Sequence, residues 1–358
     1  MTPGTSSVGV EDRTLDSGEV GQQPRLGRRI TVYALAAALL LGLGVTGLAF
    51  ASSMERLVVQ TVETPVAGPP DPAPSAPAPS EPPPPEPVAR EAIEEKDPEA
   101  PGNPAALEER INEITQEYGG VYGVVVSDPA SGETVSLGAD ETFFAASIGK
   151  LPTLLSLYKS AAQGTVDLDD EITMLASDVQ GYGTGVLHDR EVGYTLTLRE
   201  CAFYMMNESD NTAWEMLTRY LGEEKIQGDV ASLGAYDTEY WAPNTTTADD
   251  VLLMLKTIAD PSFTSPELSE EMLYSMTDTV SEDRITGGLP PDVRVAHKIG
   301  TYENNFSDAG IVYYGDGSSE EHYFIVVFTD ELGEMDARAA IQEMAAAAHR
   351  TFGPDSGS

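Results

Sequence analysis

Ile30 to Ala51 is an uncharged, apolar run of 22 residues, and it decides which part of this chain can form a water-exposed fold. That length is enough to span a bilayer as a helix. Arg25, Arg28 and Arg29 precede it, so residues 1–29 are expected to stay in the cytoplasm and everything after residue 51 to lie outside. Ala49-Phe50-Ala51 also has the small-x-small shape of a signal-peptide cleavage site. The run is longer than an ordinary signal core, which favours a membrane anchor. Under either reading the C-terminal part is exported, held on the cell membrane or secreted after Ala51. No cysteine lies near the N-terminus, which excludes a lipid-modified export signal.

Residues 52–103 form a linker. From Val66 to Pro101 it is rich in Pro, Ala and Glu, with four consecutive prolines at Pro82–Pro85. Such a stretch packs no core and reads as a stiff, polyproline-like spacer. A folded domain is therefore expected over 104–352, followed by a short tail at 353–358. The chain carries 59 acidic residues against 20 Lys and Arg, a formal net charge of −39. That balance excludes nucleic acid and anionic surfaces as partners, since both are bound through basic patches. The membrane enters only through the N-terminal helix. Cys201 is the single cysteine, so no internal disulfide can form. A monomer is expected.

Asn103-Pro104 reads as a helix cap followed by proline at the first helical position, and Leu107, Ile111, Ile114 and Tyr118 recur at helical spacing. Val121–Ser127 and Thr134–Leu137 read as strands around a turn at Asp128-Pro129-Ala130-Ser131-Gly132. Phe143 to Lys150 reads as an extended entry into a helix whose buried face is Leu151, Leu154, Leu155 and Tyr158. Thr197 and Glu200 form a capping box before a short buried helix containing Cys201, which is expected in the core. A helix with Ala213, Trp214, Leu217 and Leu221 follows, and another starts at Thr245-Thr246-Thr247. Strands are expected at 293–301, 309–314 and 323–329, and a last helix from about Glu334 to His349. The order describes an α+β domain: an antiparallel sheet of about five strands flanked by helices, plus a helical lobe.

Three stretches carry chemistry. Ser147 and Lys150 are three apart, which on a helix puts hydroxyl and amine on one face. An amine with a lowered pKa can serve as base for a serine nucleophile, and N–H groups at a helix start favour an oxyanion. The others are Ser209-Asp210-Asn211, between two helices, and Lys298-Ile299-Gly300-Thr301 on a strand. Taken singly, the first also fits a helix start with a surface lysine, and the second an ordinary helix cap. His297 sits beside Lys298, but strand alternation turns it to the opposite face, where a structural role is expected.

The ordered set Ser-x-x-Lys, Ser-Asp-Asn and Lys-x-Gly-Thr resembles that of the penicilloyl-serine enzymes, the class A β-lactamases and penicillin-binding D,D-peptidases. Spacing and helix order look most like class A. The resemblance covers about residues 104–352 and implies a β-lactamase/transpeptidase-like fold. It implies Ser147 as the acylated nucleophile, Lys150 in its proton relay, and Ser209 passing a proton to the leaving nitrogen. It further implies Asn211 on the substrate's side-chain amide and Lys150, Lys298 facing a substrate carboxylate, the N–H groups of Ser147 and Thr301 as the oxyanion hole, and Gly300 with Asn211 and Thr301 among the substrate-binding residues. Two converging lysines should depress each other's pKa, and a cationic pocket would draw in an anionic substrate. The expected substrate is a small-molecule β-lactam or a cell-wall peptide, handled without metal or cofactor.

Two departures from the family pattern stand out. The Glu-x-x-Leu-Asn loop, whose glutamate activates the water that frees the acyl-enzyme, is missing, and the link from Asn211 to Thr245 is about a dozen residues shorter than the pattern. Glu239 is the one acid near that place and reads as a surface residue. Ile299 stands where a Thr or Ser would help hold the substrate carboxylate, a task Thr301 could take over. A D,D-peptidase or esterase of the cell wall, and a non-turnover penicillin-binding or wall-interaction module, remain as rival readings.

Overall fold

The computed structural model describes residues 103–314 and 321–353. The expected cytoplasmic tail, the apolar run 30–51 and nearly all of the linker lie outside the described residues, within which no helix is long and apolar enough to cross a membrane.

Helix α1 (Pro104–Tyr118) is started by Asn103, whose side chain accepts a hydrogen bond from Ala105 N at 3.1 Å. The chain then forms β1 (Val121–Ser127) and β2 (Thr134–Leu137). It returns to the sheet only at its end, with β7 (Val295–Tyr302), β8 (Asn305–Tyr314) and β9 (Glu321–Asp330), before helix α8 (Glu334–Phe352). The sheet order is β2-β1-β9-β8-β7 and every neighbouring pair is antiparallel. Between these halves lie β3 (Phe143–Phe144), α2 (Leu151–Ala162), β4 (Glu171–Thr173), β5 (Thr195–Thr197) and α3 (Leu198–Asn207). They are followed by α4 (Asn211–Leu221), α5 (Glu223–Leu233), β6 (Thr245–Thr246), α6 (Ala248–Ala259) and α7 (Pro266–Ser275).

Both faces of the sheet are covered. One carries Val124, Val126, Ile325 and Val327 against Leu107 and Ile111 of α1 and Ile341 and Met344 of α8. The other carries Val125, Val326, Phe324 and Phe328 against the helical lobe, including Leu154, Met205 and Leu255. Burial on both sides explains why β1 and β9 read as continuous apolar runs, a pattern more usual in parallel sheets. Each fully buried Leu, Ile or Val contributes about 1.5–3 kcal/mol relative to exposure.

The α+β architecture, the five antiparallel strands and the capping box at Thr197 and Glu200 agree with the sequence reading. Four details differ. The helix expected to begin around Ser147 starts as a 3-10 turn, Ala146–Lys150, and becomes α-helical only at Leu151. Pro152 has no N–H to return to Ile148, so the entry tightens instead. Thr245 and Thr246 are not helical: they form β6, paired with Phe143 and Phe144, and Thr247 caps α6 by accepting from Asp250 N at 3.1 Å. Helices α5 and α7 escaped periodicity because each buries few apolar side chains, in α5 only Ile226 and Val230. Strand β8 starts at Asn305, four residues before the expected Ala309, because Asp308 is a buried partner of His297 and not a turn residue.

Candidate active site

Ala146 has a left-handed backbone, φ 47°, and is followed by the half-buried Ser147 and the fully buried Lys150. Lys150 Nζ lies 2.9 Å from Ser147 Oγ and 2.8 Å from Asn211 Oδ1. Ser209 is also left-handed, φ 53°, at the junction of α3 and α4, and its Oγ lies 2.9 Å from Lys298 Nζ. Asn211 opens α4, whose cap Asp210 accepts hydrogen bonds from Ala213, Val186 and Leu187 N. Ser147, Lys150, Ser209, Asn211 and Lys298 thus meet across the boundary between the helical lobe and the sheet.

Gly300 makes the approach of β7 possible. A Cβ there would fall 2.9 Å from Ala145 O and 2.4 Å from Ser307 Oγ, so any larger residue would push the strand away from the Ser147 turn. Thr301 is exposed at the end of this approach, and its Oγ1 accepts a hydrogen bond from Arg284 Nη2 at 2.5 Å. Ile299 is half-buried and brings no hydroxyl.

Burial dominates the electrostatics. It pushes the Lys150 amine well below its ordinary range; the charge of Lys298 adds to this and that of Asp210 opposes it. Lys298 is pushed down to about 7, again mainly by burial, with Asp308 opposing and Arg284 assisting. The expected reciprocal depression of two lysines is therefore secondary, and at Lys298 the neighbouring cation is Arg284.

Three residues were missed by sequence reasoning. Arg284, nearly buried in the link between α7 and β7, donates to Gly300 O at 2.7 Å and Ser307 O at 2.6 Å. No spacing in the sequence signals it. Asn244, with φ 61°, donates from Nδ2 to Ala146 O at 3.1 Å and accepts at its own carbonyl from Ala145 N at 2.8 Å. A Cβ at Gly149 would lie 2.2 Å from its Oδ1, so this asparagine is wedged against the nucleophile turn. Trp214 places its ring 4.7 Å from Lys150 Nζ. Ala146, Ser209 and Asn244 form a cluster of non-glycine residues in left-handed backbone, which is where strain gathers at sites that need fixed geometry.

The remaining candidates separate cleanly. His297 is fully buried on the opposite face of β7 from Lys298, with Nδ1 2.9 Å from Asp308 Oδ1 and Nε2 3.2 Å from Glu282 Oε1. Cys201 is buried, and burial pushes its thiol up. Glu239 is exposed, with its backbone paired to Thr245. The sequence also holds a second Ser-x-x-Lys, Ser156–Lys159, on α2. Both side chains there are tied to Asp229, at 2.6 and 2.9 Å, away from the other motifs. Among the described residues no group of His, Cys, Asp and Glu is arranged to hold a metal ion.

Residues 106–352 match a family model described as the beta-lactamase enzyme family. A β-lactamase from Bacteroides uniformis is 25% identical over 255 residues, covering 64% of this chain and 85% of that protein. One from Streptomyces lavendulae is 28% identical over 242 residues, covering 59% and 75%. The solved β-lactamase of Sphaerobacter thermophilus superposes with a TM-score of 0.63 at 26% identity, covering 69% of this chain and 97% of that one. A mutant of PBP-A, captured as an acyl-enzyme complex with penicillin G, superposes with a TM-score of 0.65 at 23% identity, covering 70% and 97%, a likeness of fold. The family match runs from the first turn of α1 to the end of α8, and the chain belongs to the beta-lactamase enzyme family.

Proposed function

We propose that this chain is a serine hydrolase of the class A β-lactamase type, which opens a β-lactam amide through acyl-Ser147 and frees the product slowly. Residues 30–51 tether it, with the catalytic domain outside the membrane. The observation that carries the reading is the buried Lys150 amine, 2.9 Å from Ser147 Oγ and held by Asn211. A buried, depressed lysine is a base at neutral pH.

In this reading Lys298 attracts the substrate carboxylate, with Thr301 beside it and Asn211 on the substrate's side-chain amide. Ser147 Oγ attacks the carbonyl carbon and its proton passes to Lys150. The oxygen's developing charge faces the N–H groups of Ser147 and Thr301. The carbon–nitrogen bond then breaks, Ser209 gives its proton to the nitrogen, and the proton held by Lys150 replaces it.

Release is slow because the acylation groups have no hydrolytic partner. Among the described residues no carboxylate pairs with Lys150 or hydrogen-bonds Ser147, and Asp210 spends its oxygens on backbone N–H groups. This same feature favours a second reading, a penicillin-binding D,D-peptidase whose acyl acceptor is a wall peptide. Intact mass of the protein with a penicillin, followed over time with product assayed in the same tube, tests both. The expected result is a one-to-one adduct that decays slowly as hydrolysed drug accumulates, and none with Ser147→Ala. A permanent adduct without product selects the peptidase reading, and labelling that survives Ser147→Ala overturns both.

A further inference from the structure

Among the described residues Lys150 has two polar partners, Ser147 Oγ and Asn211 Oδ1, and an ammonium has three N–H bonds. The amine also lies over the face of Trp214, 4.7 Å from Nζ to the ring centre. The indole cannot turn away. Its Nε1 lies 3.0 Å from both Thr153 Oγ1 and Tyr240 OH, and Trp241 packs edge-on at 4.9 Å between centroids. Tyr240 OH is held in turn by Thr153 and Thr218 at 2.8 and 2.7 Å, so the whole aromatic group is braced from α2, α4 and the segment before β6.

We infer that Trp214 is a positioning residue for acylation, its indole face receiving the Lys150 ammonium that forms as Ser147 loses its proton. The inference rests on the acyl-serine reading above. The ring's negative face attracts the cation, most strongly in a desolvated site. The other groups acting on Lys150 are Ser147 from the nucleophile turn, Asp210 and Asn211 from the start of α4, and Lys298 from β7. Lys298 opposes the new charge and Asp210 favours it from a distance, bound to backbone N–H groups. Among the described residues the indole face is the neighbour in direct contact that rewards the ammonium without being a hydrogen-bond acceptor to it. Being neutral, it does so without drawing a proton onto Lys150 as strongly as a carboxylate would.

The chain has two tryptophans, so Trp241→Phe leaves Trp214 as the single one. That protein, made with tryptophan or with mono- and difluorinated tryptophan, keeps its shape while the ring face loses negative charge. The rate of penicillin adduct formation is then measured against pH by intact mass. The acidic limb of the profile should move to lower pH with each fluorine, by about half to one pH unit in all, because the ammonium is less favoured. The plateau rate should fall with it. A limb that stays in place across the series, or moves to higher pH, overturns the inference. Trp214→Phe and Trp214→Leu give a second reading: both lose the Nε1 donor, but only Phe keeps a ring face. Phe should hold the limb and Leu should lower it; identical profiles overturn the inference. Absence of any adduct in the unsubstituted protein is a different result, which removes the acyl-serine reading and this inference together.

Discussion

Lys298 Nζ lies 2.9 Å from Ser209 Oγ, joining the inward side of β7 to the left-handed residue between α3 and α4. In the proposed mechanism the contact ties a charge to a proton carrier, and the burial of Lys298 gives the site a pH ceiling. Lys298 is pushed down to about 7, so it is charged below that pH and neutral above it. An anionic substrate is rewarded only by the charged form. The second-order rate of acylation should therefore fall as pH rises past about 7. Lys298→Arg keeps its charge throughout, because guanidinium resists deprotonation. The alkaline limb should then move up by about two pH units or more. Adduct formation by intact mass between pH 5 and 10 reads both limbs, and an unmoved alkaline limb would detach Lys298 from substrate recognition.

Lys150 makes the opposite prediction for stability. Its folded pKa lies well below the ordinary 10.5 of an unfolded chain. At any pH between the two, the unfolded chain takes up a proton that the folded one refuses, so protonation favours unfolding. Lys150→Met removes that penalty and fills the same volume with an apolar side chain. The variant should be stabilised by about 1–2 kcal/mol at neutral pH, more as pH falls toward the folded pKa, while acylation drops by about 100-fold or more. Urea unfolding checks the first half and adduct formation the second. A variant that loses both stability and activity would mean that the amine is a structural element of the helix entry.

How much of this was legible depends on how far the interactions reach along the chain. Ser147 and Lys150 could be read from their spacing of three just before the apolar face of α2, and Asn211 because it opens a helix capped by Asp210, all of them local signals. Lys298 and Gly300 could be read because a strand shows its inward and outward sides by alternation. Asn244 and Trp214 could not. Asn244 reaches Ala146 across 98 residues of sequence, and Trp214 looked like one more apolar residue on the buried face of α4. Arg284 lies in a link with no periodicity, and only the fold shows that it braces Gly300 and Thr301 from outside the sheet. The missing glutamate was visible as a gap, but the contact between Trp214 and Lys150 was not, because aromatic residues at helical spacing usually signal core.

His297 and Asp308 supply the strongest structural test. Both are fully buried; burial works against a charged ring, but both imidazole nitrogens face carboxylates, Asp308 at 2.9 Å and Glu282 at 3.2 Å, which outweigh it and favour the doubly protonated form. Its pKa is raised from 6.5 to about 9, and the Asp308 carboxyl is held below its usual 3.8. For a group raised on folding, the stabilisation is fully present below 6.5 and disappears as pH rises through about 9; for the carboxyl it is present above 3.8 and lost as pH falls. The pair therefore contributes most between these two ordinary values. Asp308→Asn leaves a buried imidazolium without its main partner, and should cost about 3–5 kcal/mol near pH 6. That difference from the unsubstituted protein should shrink as pH rises from 6.5 to about 9, where the native ring gives up its extra proton. Asp308 Oδ2 also accepts from Ile285 N at 3.0 Å, next to Arg284, so the variant should loosen the brace on Thr301 and slow acylation as well. Urea unfolding at pH 6 and pH 9.5 decides the matter: equal losses at both pH values would mean that the imidazole is neutral in the folded protein and that the pair acts through hydrogen bonding alone.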